Sequence, residues 1–168
     1  MWKINENRIP IIKFLILAKT LSFEVRMKIS LKRLNTAFHL EAVNEQGNSV
    51  HIDASPSIGG ENKGVRPMEL LIAGLGGCST IDIISILKKQ RQSLKDIQVE
   101  IEAERQPGVE PSLFTTIHAH YKLVGLLDQN LVEKALALSL DKYCSVARVL
   151  EKTATITYSY EIFQEDLL

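Results

Sequence analysis

The segment over residues 67–90 constrains the fold of this chain more than any other part of its sequence. It opens on a proline, which suits the first turn of a helix, and residues 68–87 are apolar nearly all round. Gly74, Gly76 and Gly77 interrupt it, and each glycine costs about 1 kcal/mol of helix propensity. Such a cost is tolerated where another backbone must come very close. The segment therefore predicts a central helix, buried on most sides and packed tightly against a second helix or a wrapping sheet.

Alternating apolar and polar residues predict half-buried strands on both sides of this helix. A loop rich in Ser, Pro, Gly and Asn over residues 54–66 precedes the helix, and Asp128 is placed to cap a second helix. A short helix is expected after Cys144. The predicted strands cover residues 28–34, 37–43, 50–53, 97–104, 113–124 and 154–162. The order βββ-α-ββ-α-β, with the short helix uncounted, predicts an α+β domain.

The length and charge of the chain limit the classes of function that it can have. Its 168 residues fit one domain, and 45% of them are hydrophobic, which is enough for a core. Twenty basic residues balance twenty acidic ones, so no overall field favours nucleic acid or an anionic membrane surface. No run of about 20 uninterrupted apolar residues is present, and we therefore expect no membrane-spanning helix.

The N-terminal residues carry a short apolar run over residues 11–18, which Lys13 interrupts. A signal peptide would have a longer apolar core and a cleavage site of small residues. We interpret residues 1–26 as an extension outside the core fold, and residues 27–168 as the domain. We accordingly expect a cytoplasmic protein.

The chain contains only two cysteines, Cys78 and Cys144, which excludes a disulfide-dense secreted scaffold. The sequence leaves three interpretations of these thiols: two buried apolar side chains, one disulfide, or a reactive pair. Cys78 lies in the middle of the apolar helix, where a thiol reacts slowly unless a positive charge or hydrogen-bond donors lie near it. Cys144 directly precedes the short helix, and the dipole at a helix start favours a thiolate.

Other candidate sites are weaker. The two cysteines are 66 residues apart, which matches no zinc pattern, and His118 with His120 is more typical of a solvated strand face than of a metal site. The glycines at 76 and 77 lie inside a helix rather than at its start, so a phosphate cradle is not expected. We therefore expect neither a metal nor another cofactor. Asp82 lies one helical turn beyond Cys78, where its charge would disfavour a thiolate.

The two segments that contain the cysteines have sequence patterns specific enough to compare with a known family. The segment PMELLIAGLGGC, residues 67–78, resembles the central-helix motif of the OsmC/Ohr family, which comprises osmotically inducible protein C and the organic hydroperoxide resistance proteins. The segment KYCSVA, residues 142–147, resembles the second cysteine motif of that family, and a threonine-rich strand follows it. The resemblance covers roughly residues 28–163.

The resemblance implies antiparallel sheets wrapped around central helices in an intertwined homodimer, and thiol-dependent reduction of hydroperoxides. By resemblance, Cys78 matches the peroxidatic cysteine and Cys144 the resolving one. Peroxide would oxidise Cys78 to a sulfenic acid, Cys144 would condense with it, and an external dithiol would reduce the disulfide.

The chain departs from the family pattern at two positions. A glutamate follows the proline in characterised peroxidases of the family, and an arginine lies well upstream, whereas here Met68 follows the proline and Arg66 precedes it. We assign Arg66 and Glu69 as the residues that substitute for this charged pair, with Arg33 as another arginine that could reach the site. The departures indicate a less characterised branch of the family. The alternatives are a protein on the same scaffold that binds a small ligand or senses redox state, and a structural role for both cysteines.

Overall fold

The computed structural model describes residues 26–164, so the extension predicted over residues 1–26 lies outside the described residues except for Arg26. The strands are β1 Ile29–Arg33, β2 Leu40–Asn44, β3 Ser49–Ile52, β4 Ser93–Arg105, β5 Phe114–Leu126 and β6 Thr155–Phe163. The helices are α1 Pro67–Lys89, α2 Gln129–Leu138 and α3 Ser145–Leu150, with a 3₁₀ turn at Pro56–Ile58 and a π-helical turn at Ser139–Tyr143. The predicted α+β class is confirmed, as are the short helix after Cys144 and the capping of α2 by Asp128, whose carboxylate accepts from Leu131 N.

The strands form two three-stranded sheets, β1-β2-β3 and β4-β5-β6. All pairs in the first sheet and the β4–β5 pair are antiparallel, as expected. The β5–β6 pair is parallel, which corrects the expectation of wholly antiparallel sheets. The reason is the connection: α2, the π-helical turn and α3 lie between β5 and β6, and a crossover of this kind returns the chain in the same direction.

The core lies between α1, the second sheet, α2 and α3. The alternation over residues 113–124 predicts an inward-facing row. It is confirmed at Ile117, Ala119, Tyr121 and Leu123, each at most 1% exposed, whereas Leu113 and Thr115 of the same row are exposed. The helix α2 buries Val132, Ala135 and Leu136. The sequence predicts an apolar stripe of Leu131, Ala135 and Leu138, with Val132 and Leu136 as further candidates. Leu131 and Leu138 are only half-buried, whereas the other three are buried.

The helix α1 is buried along one face rather than on most sides. Leu75, Gly76, Ser79, Ile83 and Leu87 form the buried face. Gly76 explains the predicted close approach, because a Cβ there would lie 3.1 Å from Ile101 Cδ1 on β4.

The other face of α1 exposes large apolar side chains. Leu71, Ile81 and Ile84 are 44%, 66% and 41% exposed in the single chain. By length and composition alone α1 could also cross a membrane, with a mean hydropathy of 1.9 over its most apolar stretch, of which 28% is buried. Core helices of soluble proteins also have this length and composition, so the expectation of no membrane-spanning helix stays a prediction.

The first sheet is more exposed than predicted. Every residue of β1 is exposed, including Ile29 at 57% and Leu31 at 59%. Its apolar face is an open cleft of about 470 Å³ with Leu70 of α1 at one side. Half-burial of β1 would need a cover that residues 26–164 of one chain do not supply.

Candidate functional site

Cys78 lies in the middle of α1 and is half-buried. It directly follows Gly77, where an added Cβ would meet no atom within 4 Å. The residue on its other side, Ser79, is completely buried against the second sheet. Cys78 therefore lies at the border between the packed and the open face of α1, where a small molecule can approach the sulfur.

Cys144 is held between the π-helical turn and α3. Its backbone N–H donates to Ser139 O at 2.8 Å, which closes the turn. Its side chain caps α3, since Sγ accepts from Ala147 N at 3.4 Å. The thiol is completely buried. The fold thus fixes Cys144 through its backbone on one side and through its sulfur on the other.

The two cysteines, remote in the chain, are both free thiols and lie close enough for Cys78 to raise the pKa of Cys144. The pKa of Cys144 is raised to about 11, chiefly by burial and then by the neighbouring Cys78. The backbone N–H groups of Ala147 and Val146 oppose this effect, because they favour the thiolate. Cys144 therefore stays protonated near neutral pH.

A buried tyrosine lies beside this pair. Tyr121 Oη donates to Ser79 Oγ at 2.7 Å, and Ser79 Oγ donates to Leu75 O at 2.7 Å. The pKa of Tyr121 is raised to about 12, chiefly by burial, with smaller contributions from Cys144 and Cys78. Tyr121 is therefore a neutral phenol, close enough to both sulfurs to respond to their charge.

Arg66 and Glu69 do not reach the sulfurs within one chain. The Arg66 guanidinium donates to Asp53 O and Gly64 O, each at 3.1 Å, and so ties the loop before α1. Glu69 Oε2 accepts from Arg66 N at 2.7 Å, which caps the start of α1. Cys78 lies nine residues after Glu69 on the helix, about 13.5 Å further along the axis. The substitutes expected for the family's charged pair are thus occupied at the helix start.

Other arginines are also engaged away from the pair of thiols. Arg148 donates to Leu140 O at 3.1 Å and pairs with Glu151 at 2.6 Å. Arg105 donates to Ser112 O at 2.7 Å, and Arg33 is exposed on β1. The effects resolved on the Cys144 thiol are accordingly those of burial, of Cys78 and of backbone N–H groups.

The two histidines of β5 contact β6. His118 hydrogen-bonds to Thr157 Oγ1 at 2.8 Å and to Ser159 Oγ at 2.9 Å, and His120 hydrogen-bonds to Ser159 Oγ at 2.8 Å. Within residues 26–164, no three or more His, Cys, Asp or Glu side chains are arranged to hold a metal ion. The solvated strand face that the sequence predicts agrees with these contacts.

Sequence reasoning missed three buried hydroxyl groups of the site: Tyr121, Ser79 and Ser139. The available signal was the polar side chain of Tyr121 within the otherwise apolar inward row of β5. Ser139 gave no signal, because the π-helical turn in which it lies has no sequence pattern of its own.

The chain matches a protein-family model over a range that includes both cysteines. The family model described as "OsmC-like protein" matches residues 60–159. Protein YhfA of Escherichia coli (strain K12) is 45% identical over 102 residues, which span 60% of this chain and 75% of that protein. These matches agree with the resemblance found in the two sequence motifs.

Solved structures share the fold. A hypothetical protein of Aquifex aeolicus VF5 superposes with a TM-score of 0.72 at 31% identity, over 83% of this chain and 98% of that chain. An organic hydroperoxide resistance protein from Legionella pneumophila superposes with a TM-score of 0.62 over 80% of this chain and 96% of that chain. At 19% identity, the second likeness concerns the fold alone.

Proposed function

Because this chain belongs to the OsmC-like protein family, we propose that it is a thiol-dependent hydroperoxide reductase, with Cys78 as the peroxidatic and Cys144 as the resolving cysteine. The observation that carries the proposal is the contact between these two free thiols. An organic hydroperoxide is the proposed substrate, since a fold neighbour is an organic hydroperoxide resistance protein. The proposal includes no metal and no other cofactor.

The different burial of the two sulfurs supports this assignment of roles. Cys78 is half-buried and can meet a peroxide, whereas Cys144 is completely buried. Burial keeps Cys144 protonated near neutral pH, which suits a thiol that acts after Cys78 rather than as the first nucleophile.

The reaction proceeds in three steps. The Cys78 thiolate attacks the outer oxygen of ROOH, the O–O bond breaks, and the alkoxide leaves as ROH after taking a proton. The Cys144 sulfur then displaces hydroxide from the Cys78 sulfenic acid, which gives a disulfide and, with the thiol proton, water. An external dithiol reduces the disulfide by two successive thiol–disulfide exchanges. Reduced thiols persist in the cytoplasm, which is the compartment that we propose.

The first experiment counts free thiols after reaction of the reduced protein with cumene hydroperoxide. Both thiols should disappear together, and dithiothreitol should restore them. A Cys144→Ser variant should stop at a sulfenic acid that dimedone labels, and a Cys78→Ser variant should consume no peroxide. Persistence of both thiols in the unaltered protein under excess peroxide would refute the proposed reaction.

A second candidate function is binding of a small apolar ligand. A cleft of about 420 Å³ lies between the first sheet, the loop before α1 and the start of that helix, with mainly apolar walls. Its lining includes Phe38, Ile58 and Met68, the residue that stands where the family's peroxidases carry glutamate. Native mass spectrometry of freshly purified protein would reveal a retained ligand. Rapid peroxide turnover by a ligand-free protein would remove the need for this candidate.

We also propose a homodimer. The exposed apolar face of α1 and the uncovered face of the first sheet would be buried by a second copy. A dimer is also the arrangement in which Arg66 and Glu69 could approach sulfurs, those of the other copy. Light scattering during gel filtration should give the mass of two chains. The Ile81→Lys variant, changed at a 66% exposed position of α1, should have a mass closer to that of one chain.

A further inference from the structure

One buried serine contacts both cysteine-bearing segments. Ser139 is completely buried, and its hydroxyl donates to Ser79 O, the carbonyl of the residue after Cys78, at 3.2 Å. Its own carbonyl accepts from Cys144 N at 2.8 Å. The Asp82 carboxylate is a more distant alternative acceptor at 3.5 Å from Ser139 Oγ. A single residue therefore joins the backbone beside one cysteine to the backbone of the other.

The turn that Ser139 opens sets the direction of Cys144. The bond from Cys144 N to Ser139 O spans five residues, as in a π-helix, rather than the four of an α-helix. Each helical residue adds about 100° of rotation and about 1.5 Å of rise. Relaxation of this turn to an α-helix would therefore turn the Cys144 side chain by about 100°, away from Cys78.

We propose that Ser139 is a positioning residue for disulfide formation: its hydroxyl bonds the π-helical turn to α1 and so keeps Cys144 aimed at Cys78. This inference rests on the proposed function for the peroxide that starts the reaction, although the geometry of the two thiols does not depend on it. Ser139 touches neither sulfur in the proposed chemistry. It acts on the second step, in which the S–O bond of the Cys78 sulfenic acid breaks, the S–S bond forms, and the Cys144 proton leaves with the hydroxyl as water.

The central experiment separates the two steps in a Ser139→Ala variant. Dimedone labelling in the Cys144→Ser background measures sulfenic acid formation, which should stay within about twofold of the rate without the Ser139 change. Quenched-flow mass spectrometry measures disulfide formation, which should slow by about fivefold, the effect of losing one buried hydrogen bond. Equal slowing of both steps, or no slowing of the second, would overturn the inference.

A matched control is Ser85→Ala on the same helix. Ser85 is exposed, and its hydroxyl donates to Ile81 O, four residues back, without reaching the segment of Cys144. The Ser85→Ala variant loses the same chemical group, and its rates of sulfenic acid formation and of disulfide formation should remain unchanged.

Oxidation by diamide distinguishes failure of this inference from failure of the proposed function. Diamide takes two electrons and two protons from the pair of thiols and forms the disulfide without peroxide. If peroxide leaves the unaltered protein reduced, the proposed function fails, but Ser139→Ala should still slow disulfide formation by diamide by about fivefold. An unchanged diamide rate would overturn the inference about Ser139.

A measurement on the unaltered protein covers the case in which Ser139→Ala does not fold. The Cys144 amide should exchange its hydrogen slowly in the reduced protein, because Ser139 O accepts it inside a buried turn. Exchange as fast as that of the exposed turn at residues 106–110 would show that the π-helical turn is not held, and the inference would fall.

Discussion

The phenol of Tyr121 donates a 2.7 Å hydrogen bond to the hydroxyl of Ser79, the residue that directly follows Cys78. Both side chains are completely buried. The bond joins β5 to the buried face of α1 beside Cys78, and the Ser79 hydroxyl donates in turn to Leu75 O. Tyr121 therefore fixes where α1 lies on the sheet, and with it the position of the Cys78 sulfur.

Replacement of Tyr121 by phenylalanine should lower the free energy of unfolding by about 1 kcal/mol, because one buried hydrogen bond to Ser79 is lost while the ring is kept. Urea denaturation followed by circular dichroism measures the change. Tyr143→Phe is the matched control, since Tyr143 is 51% exposed and its change should stay within about 0.5 kcal/mol. Equal effects of the two substitutions would contradict the role given to Tyr121.

Alkylation should distinguish the two cysteines. Iodoacetamide reacts with the thiolate, and at pH 7 a thiol of pKa about 11 is ionised in only about one molecule in ten thousand. Cys78 is also the more exposed sulfur. Peptide mass spectrometry should show Cys78 modified at least about ten times faster than Cys144. Preferential labelling of Cys144 in the folded protein would contradict the geometry, and labelling in urea, where the two rates should converge, is the control.

The stability of the protein should fall in the alkaline range because of Cys144. Burial holds its pKa at about 11, above that of a cysteine in the unfolded chain, so the folded state keeps the proton more strongly. The stabilisation is fully present below the unfolded pKa and is lost as the pH rises through about 11. Between pH 8 and pH 11 the loss should be on the order of 2 kcal/mol.

A comparison with Cys144→Ala isolates this contribution, because the titration of exposed side chains affects both proteins alike. Urea midpoints measured at several pH values should converge for the two proteins as the pH rises. Parallel curves would show that the Cys144 thiol does not titrate differently in the folded state.

The Asp53 carboxylate should be essential for the loop before α1. It is 1% exposed and accepts from three backbone N–H groups, those of Ala54 at 2.8 Å and of Glu61 and Lys63 at 3.0 Å each. These bonds lower the pKa of Asp53, chiefly the bond from Lys63. Its contribution should therefore be present above the ordinary aspartate pKa and be lost as the pH falls through the depressed folded value.

An Asp53→Asn variant should lower the urea midpoint, because the amide offers a donor to N–H groups that need acceptors. Asp96→Asn is the control, since exposed Asp96 accepts from the next residue's N–H in the same local way but holds no loop. Equal urea midpoints for the Asp53→Asn and Asp96→Asn variants would contradict the role given to Asp53. A larger fall for Asp96→Asn would count against it as well.

Periodicity predicted the elements that carry the site. The row of β5 that includes Tyr121 could be predicted as inward-facing, and Gly76 indicated the close approach of another element to α1. Such predictions succeed because a strand or helix must bury one face, and the pattern of that face is written in consecutive residues. The two cysteine motifs likewise indicated the family, because they are local strings of residues.

The sequence alone therefore determined the α+β class, the order of the elements and which two sulfurs could react. Only the tertiary structure decided that Cys144 is the buried partner of Cys78, that Arg66 holds a loop, and that Ser139 joins the two segments. It also decided that β6 runs parallel to β5. These relationships depend on crossover direction, on one extra residue in a turn and on contacts between remote segments. Local periodicity carries no information about them, because each depends on where distant parts of the chain meet.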